Sequence, residues 1–286
     1  MNFIQSLITH LRKYLMLCVS LVRPQSKTYK QKMLEKYNEY NFEKTYVLAQ
    51  DIRDYVFSDE IYDISLPANL NLLLKPQKWS LLHQFIFDNI KLWNQDIIND
   101  CGGEETLNGS YKNTLTVYGV TFFNENNYPN QNEYDDNRDY SIYLFNLIES
   151  KCLRQITEEV FYILFGDREF LMKFNQLVSN KIHSLDISKH EDILQNTGIL
   201  KRPNSWNTWV KNAIRHRDKD ECVFCGKDLT AIKNNTKQPE IDHIVSLNEG
   251  GSNDITNLQY SCNQCNNEKS DTTKTSKWYI PYYKLE

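Results

Sequence analysis

The chain has 286 residues, 40% of them hydrophobic and 24% charged, and a formal net charge of −4. These are the proportions of a folded globular chain, long enough for one large domain or two smaller ones. They exclude a uniformly basic nucleic-acid coat.

The charge is unevenly spread. Residues 201–286 hold 13 Lys and Arg against 11 Asp and Glu, which leaves 20 against 26 for residues 1–200. Any basic surface is therefore expected near the C-terminal end. The run from Lys201 to Arg217 contains Lys201, Arg202, Lys211, Arg215 and Arg217 and no acid. Taken alone, it reads equally as a solvated helix face.

In chain order, Phe3 to Val22 is apolar but interrupted by His10, Arg12 and Lys13. It offers no run of about 20 apolar residues for a membrane span, and no small-residue cleavage site follows it. An amphipathic helix packed on the protein is expected, with peripheral membrane attachment as the alternative. Lys27 to Gln50 is a second helical stretch. Pro67 and Pro76 break residues 65–78 into loop. From Trp79 to Ile98, Leu82, Phe85, Ile86, Ile90 and Trp93 make a core-facing helical stripe.

Leu115 to Phe123, LTVYGVTFF, is the one clear strand candidate before residue 200. Asn124 to Asp139 is polar and acidic, and reads as an exposed loop. Helices are expected again over Glu158–Phe165 and Arg168–Leu185. Ser188 and Glu191 form a capping box before a short helix that Gly198 ends. Gly198, Pro203 and Asn204 mark a linker, which divides the chain into a mostly helical domain over 1–200 and a C-terminal domain over 201–286. A helix from Trp206 to His216 leads into the cysteine-bearing segment. The fold class is α+β: a mostly α-helical N-terminal domain followed by a small zinc-stabilised one.

Of the seven cysteines, Cys18, Cys101 and Cys152 are scattered and read as ordinary buried thiols. An odd total without a signal peptide argues against a secreted disulfide scaffold and for a cytoplasmic protein. The N-x-S/T triplets at Asn108 and Asn234 carry little meaning there. The other four cysteines form two C-x-x-C pairs, Cys222/Cys225 and Cys262/Cys265, separated by 36 residues. Two such knuckles offer four thiolates to one ion, the arrangement structural zinc prefers, and are a better fit to zinc than to a redox dithiol.

Between the knuckles stands Ile241-Asp242-His243-Ile244-Val245, a short apolar strand with a carboxylate and an imidazole at its centre. Gly250-Gly251 turns the chain between candidate strands at Glu240–Ser246 and about Leu258–Ser261. Asn257 follows His243 by 14 positions. Asn266 comes directly after Cys265, and Lys269 shares its helix face three positions on.

This segment resembles the HNH endonuclease family. The residues that carry the likeness are R-D-x-x-x-C-x-x-C-G from Arg217 to Gly226, D-H-I from Asp242 to Ile244, Gly250-Gly251, Asn257-Leu258, and C-x-x-C-N-x-x-K from Cys262 to Lys269. They span about residues 213–273. The resemblance implies a ββα-metal fold and divalent-metal-dependent hydrolysis of DNA. His243 is then the general base, Asp242 and Asn266 ligands of a catalytic Mg²⁺ or Mn²⁺, and Asn257 the residue that fixes the loop and orients His243. Asn266 stands where the family's name has its last His, and an Asp/Asn oxygen set favours magnesium-type ions.

Lys269, Arg215 and Arg217 are the expected phosphate contacts. Paired cuts would require a dimer. The acidic first 200 residues are expected to dock a protein partner or restrain the nuclease, as in an anti-phage or restriction effector. A mobile-element or homing endonuclease is the alternative role. A zinc module that binds nucleic acid or protein without catalysis is the alternative class.

Overall fold

The computed structural model describes residues 42–58, 70–129, 138–230 and 239–276. The expected helix over 3–22, Cys18, the start of the 27–50 helix, Pro67, part of the 124–139 loop and Asn234 lie outside these residues. In chain order the helices are α1 (Phe42–Phe57), α2 (Asn71–Leu74), α3 (Leu81–Cys101), α4 (Glu105–Val117), α5 (Arg138–Lys151), α6 (Leu153–Phe165), α7 (Arg168–His183) and α8 (Thr208–Arg217). Then come β1 (Glu240–His243), β2 (Leu258–Ser261) and α9 (Asn263–Lys269). A mostly helical N-terminal part followed by a small two-stranded sheet with a helix is the α+β class expected. None of the described helices is long and apolar enough to cross a membrane.

The chain divides into two compact units, residues 1–48 with 86–160, and residues 49–85 with 161–286. In the first, α4 and α5 pack together through Leu107, Tyr111, Leu115, Leu144, Phe145 and Ile148, all buried. Polar ties sit among them: Ser141 donates to Asn108 Oδ1 at 2.6 Å, and Tyr111 donates to Asn94 Oδ1 at 2.9 Å. Cys101 and Cys152 are buried thiols, as expected.

Here the strand expected over 115–123 is overturned. Leu107, Tyr111 and Leu115 recur every four residues and bury one helical face, so β-branched Thr116 and Val117 finish a helix. Gly119, at φ 68°, ends it. Its N–H bonds Thr116 O and that of Val120 bonds Leu115 O, the paired bonds of a Schellman cap.

The second unit contains the cysteine pairs. Its framework helix α7 buries Phe170, Leu171, Phe174, Leu177, Val178 and Ile182 on one stripe. Asp167 caps it by accepting from Phe170 N, and also pairs with Arg53 at 3.0 Å. The capping box expected at Ser188 is also corrected. Asp186 accepts from Ser188 N and caps a single 3₁₀ turn, Ile187–Lys189. Gly198 sits in the turn between Leu194 and Leu200, which form an antiparallel bridge. An Asp two residues upstream reaches the free N–H more directly than a Ser at the turn's second position.

The buried carboxylate of Asp218 ties three segments of this unit together. Arg217 donates to both its oxygens at 2.9 and 2.8 Å, Arg168 at the start of α7 lies 3.4 Å away, and Tyr260 N in β2 donates at 2.9 Å. Removing it would strand the Arg217 guanidinium, whose side chain is only 4% exposed. Breaking a buried pair from one side costs about 3–5 kcal/mol. Asp218→Ala is therefore expected to lose stability of that order in chemical denaturation.

Candidate active site

β1 and β2 are antiparallel over four residue pairs, with Asp242 opposite Gln259 and His243 opposite Leu258. Glu240 and Asp242 share one face of β1, and α9 lies against that face. Asn263 and Asn266 of α9 both donate to the Glu240 carboxylate. Lys269 lies 3.2 Å from Asp242 Oδ2, and Gln259 Nε2 donates to the same oxygen at 2.9 Å.

The link from β1 to β2 is held by its own side chains. Asn257 accepts from Val245 N at 2.8 Å and donates to Val245 O at 2.9 Å and Ser252 O at 2.8 Å. Ser246 caps the turn at Leu247–Glu249, and Gly250 follows in the left-handed region at φ 79°. A Cβ on Gly251 would fall 1.9 Å from Val245 O, so that position must be glycine.

His243 meets a different side chain. Its Nε2 lies 3.0 Å from Asn253 Oδ1, while Asn257 touches only backbone. The Trp206 ring lies 5.7 Å from the imidazole, tilted by 59°.

A cavity of about 470 Å³ brings the expected groups together: Asp242, His243 and Asn266 line it, with Glu240, Arg202 and Trp206. Adjacent strand residues normally face apart. Here both line the cavity, as do their neighbours Glu240 and Ile241, and His243 is the last residue of β1. Burial lowers the His243 pKa to about 4; the Asn253 contact opposes this, while Arg202 and Lys269 add to it. The imidazole is thus neutral at pH 7 and able to accept a proton. Burial raises the Asp242 carboxyl above its usual range, against the pull of Lys269 and Gln259.

The expected phosphate contacts fare differently. Arg217 is committed to Asp218, to Leu258 O at 2.6 Å and to the face of Phe165, so its charge is structural. Lys269 is 1% exposed, faces Asp242 and does not line the cavity. Arg215 keeps a partly exposed guanidinium, bonded to Asp220 at 2.6 Å. The cavity cation is Arg202, which the sequence marked only as one of a basic run. Glu240 and Asn253 were not marked at all. Glu240 had a readable signal, since it shares the strand face of Asp242 two positions away. Asn253 had none in so Asn-rich a chain.

The sulfur atoms of Cys222, Cys225, Cys262 and Cys265 all lie within 4.8 Å of one another, and Cys225 and Cys262 are 3.9 Å apart. Tetrahedral zinc with bonds of about 2.3 Å would set sulfur edges of about 3.8 Å, so the four thiols fit one zinc ion. The cavity donors are of another kind. The Asp242 carboxylate and the Asn266 Oδ1, left to accept because Nδ2 is bonded to Glu240, are hard oxygen atoms suited to a magnesium-type ion.

A ββα unit thus stands beside four cysteines positioned to hold a metal ion, with an Asp-His pair on its first strand and an Asn on its helix. Residues 222–272 match the family model described as HNH endonuclease, and the C-terminal region carries this domain. No curated protein and no solved structure matches the chain.

Two outcomes test the site. The purified protein is expected to contain one zinc per chain by elemental analysis, and stripping it with a strong chelator is expected to lower the melting temperature sharply. A His243 pKa below its unfolded value of about 6.5 means that the unfolded chain binds the extra proton. The stabilisation from neutral His243 is complete above that pH and is lost as pH falls toward about 4. Wild-type protein should therefore lose more unfolding free energy between pH 7 and 5 than His243→Asn, measured in parallel denaturations.

Proposed function

We propose that the protein is a divalent-metal-dependent endonuclease that hydrolyses DNA phosphodiester bonds. The observation that carries this reading is the convergence of Asp242, His243 and Asn266 on one cavity within a segment matched by the HNH endonuclease model. His243 takes a proton from water, and the resulting hydroxyl attacks phosphorus. The bond from phosphorus to the 3′ oxygen breaks, leaving a 5′ phosphate and a 3′ oxygen that is protonated from solvent. Asp242 and Asn266 are the residues that would hold Mg²⁺ or Mn²⁺, which when bound supplies Lewis-acid stabilisation of the phosphate and the departing oxygen.

Glu240 orients the Asn266 amide through its Nδ2, so that Oδ1 is the ligand atom. Lys269 holds Asp242 in place with a fixed positive charge. Arg202 and the exposed part of Arg215 are the cations we assign to backbone phosphates. The four cysteines hold structural zinc.

Residues 201–286 are taken as the nuclease region and the acidic helical remainder as a docking or restraining region, in a cytoplasmic anti-phage or restriction effector. Plating efficiency of phage on cells with and without the gene checks that role, and equal plating would reject it.

The direct test is cleavage of supercoiled plasmid in Mg²⁺, in Mn²⁺ and in EDTA. Nicked or linear product is expected with either ion, none in EDTA. His243→Ala is expected to reduce the rate by a factor on the order of 10²–10⁴. Undiminished cleavage by His243→Ala would remove the imidazole from the mechanism.

A further inference from the structure

The hydrogen bonds around Asn253 determine more than its position. A carbonyl oxygen only accepts, so the 2.8 Å bond from Asn253 to Lys201 O must come from the amide nitrogen Nδ2. That fixes the flip of the amide, and the atom facing His243 Nε2 at 3.0 Å is Oδ1, also an acceptor. Two acceptors cannot bond each other, so Nε2 must carry the hydrogen. The basic lone pair then resides on Nδ1.

We propose that Asn253 is a positioning residue that holds His243 in the Nε2–H tautomer, and that its own placement is set by residues outside the HNH-matched segment. This deepens the nuclease reading and, as regards catalysis, rests on it.

The second half of the proposal has its own geometry. Asn253 N donates to Leu73 O at 2.8 Å, and Nδ2 reaches Lys201 O. The next residue, Asp254, is fully buried and accepts from Leu81 N at 3.1 Å, as well as from Thr256 N and Thr256 Oγ1 at 3.0 and 2.6 Å. Thr256 in turn receives a bond of 3.3 Å from Asn175 of α7. Ser179 of α7 donates to Glu249 O, and a Cβ on Gly250 would meet His183 and Ser179 at 2.6 and 2.8 Å. The loop carrying Asn253 is thus bonded to residues 73–81 and α7, and Gly250 leaves no room for a Cβ against α7. The tautomer of the base is fixed by a chain of bonds that runs from Leu73 and Lys201 through Asn253.

The experiment uses full-length, zinc-loaded protein labelled with ¹⁵N-histidine. Nitrogen chemical shifts at pH 7.5 distinguish a protonated ring nitrogen from a bare one. The wild type is expected to show His243 with Nε2 protonated and Nδ1 bare. Asn253→Leu, similar in size but with no acceptor, is expected to give a mixture of tautomers and a kcat about 10- to 100-fold lower, with KM little changed. Asn253→Asp keeps an acceptor facing Nε2 but loses the donor to Lys201 O, and is expected to restore the Nε2–H tautomer with only part of kcat, a split that a purely structural loss would not give. A wild-type His243 with Nδ1 protonated overturns the inference whatever the variants do. So does an Asn253→Leu protein with wild-type tautomer and kcat. If no DNA is cleaved in any metal, the nuclease reading fails, while the tautomer still decides the role of Asn253.

Discussion

The site depends on how a sheet of only four residue pairs is kept in register. A two-stranded hairpin of this length is marginal in water, and β1 and β2 are joined by a loop of 14 residues rather than a tight turn. Asn257 makes the connection rigid. It folds its amide back onto both polar atoms of Val245 and onto Ser252 O, replacing backbone pairing where the strands part. Ile244 N to Asn257 O, at 2.7 Å, then carries the ladder one step past His243. A slip of one residue would turn Asp242 away from Lys269 and Gln259 and leave a buried carboxylate unpaired. Register and chemistry are therefore secured by the same contacts.

The electrostatics follow from burial. Asp242 is taken largely out of water, which alone would favour its neutral form, and the nearly inaccessible Lys269 opposes that. His243, one residue on, has no carboxylate partner, only a neutral amide, so burial carries its pKa down instead of up. One strand thus carries a carboxylate held beside a cation and an imidazole held neutral. The metal-assisted hydrolysis proposed above would use both groups: a carboxylate oxygen for the ion and an unprotonated nitrogen for water. Exchanging the neighbours would lose both.

Much of this was legible in the sequence. The cysteine pairs, the Asp-His dipeptide, the glycine pair and the spacing to Asn257 and Asn266 are local features whose geometry is nearly fixed by chain connectivity. The helical stripes of α3 and α7 were legible for the same reason, since period alone places their apolar faces. Failures arose where a distant partner or a backbone conformation decided the outcome. Residues 115–117 look like strand until Leu107 and Tyr111 show which face is buried, and Gly119 acts as a helix stop only in the left-handed region. Arg217 looks like a phosphate contact until Asp218, Leu258 and Phe165 enclose it. Asn253 gains its meaning from Leu73 and Lys201, 180 and 52 positions away, and no spacing rule reaches that far.

That last contrast bears on where the nuclease unit ends. The family match begins at Cys222, and the sequence places a boundary near residue 200. Yet the loop between the strands also takes partners from before that point: Leu73 O, Leu81 N, Asn175 and Ser179. Asp254 decides the matter energetically. Its buried carboxylate takes one of its hydrogen bonds from the first N–H of α3. Without that donor, water would have to reach it or a proton would have to join it, and either would disturb the turn on which Asn253 and Asn257 both sit. Residues 222–272 contain the base and the candidate metal ligands of the proposed reaction. The contacts that hold those groups reach back to Leu73, Leu81 and α7 within the same compact unit.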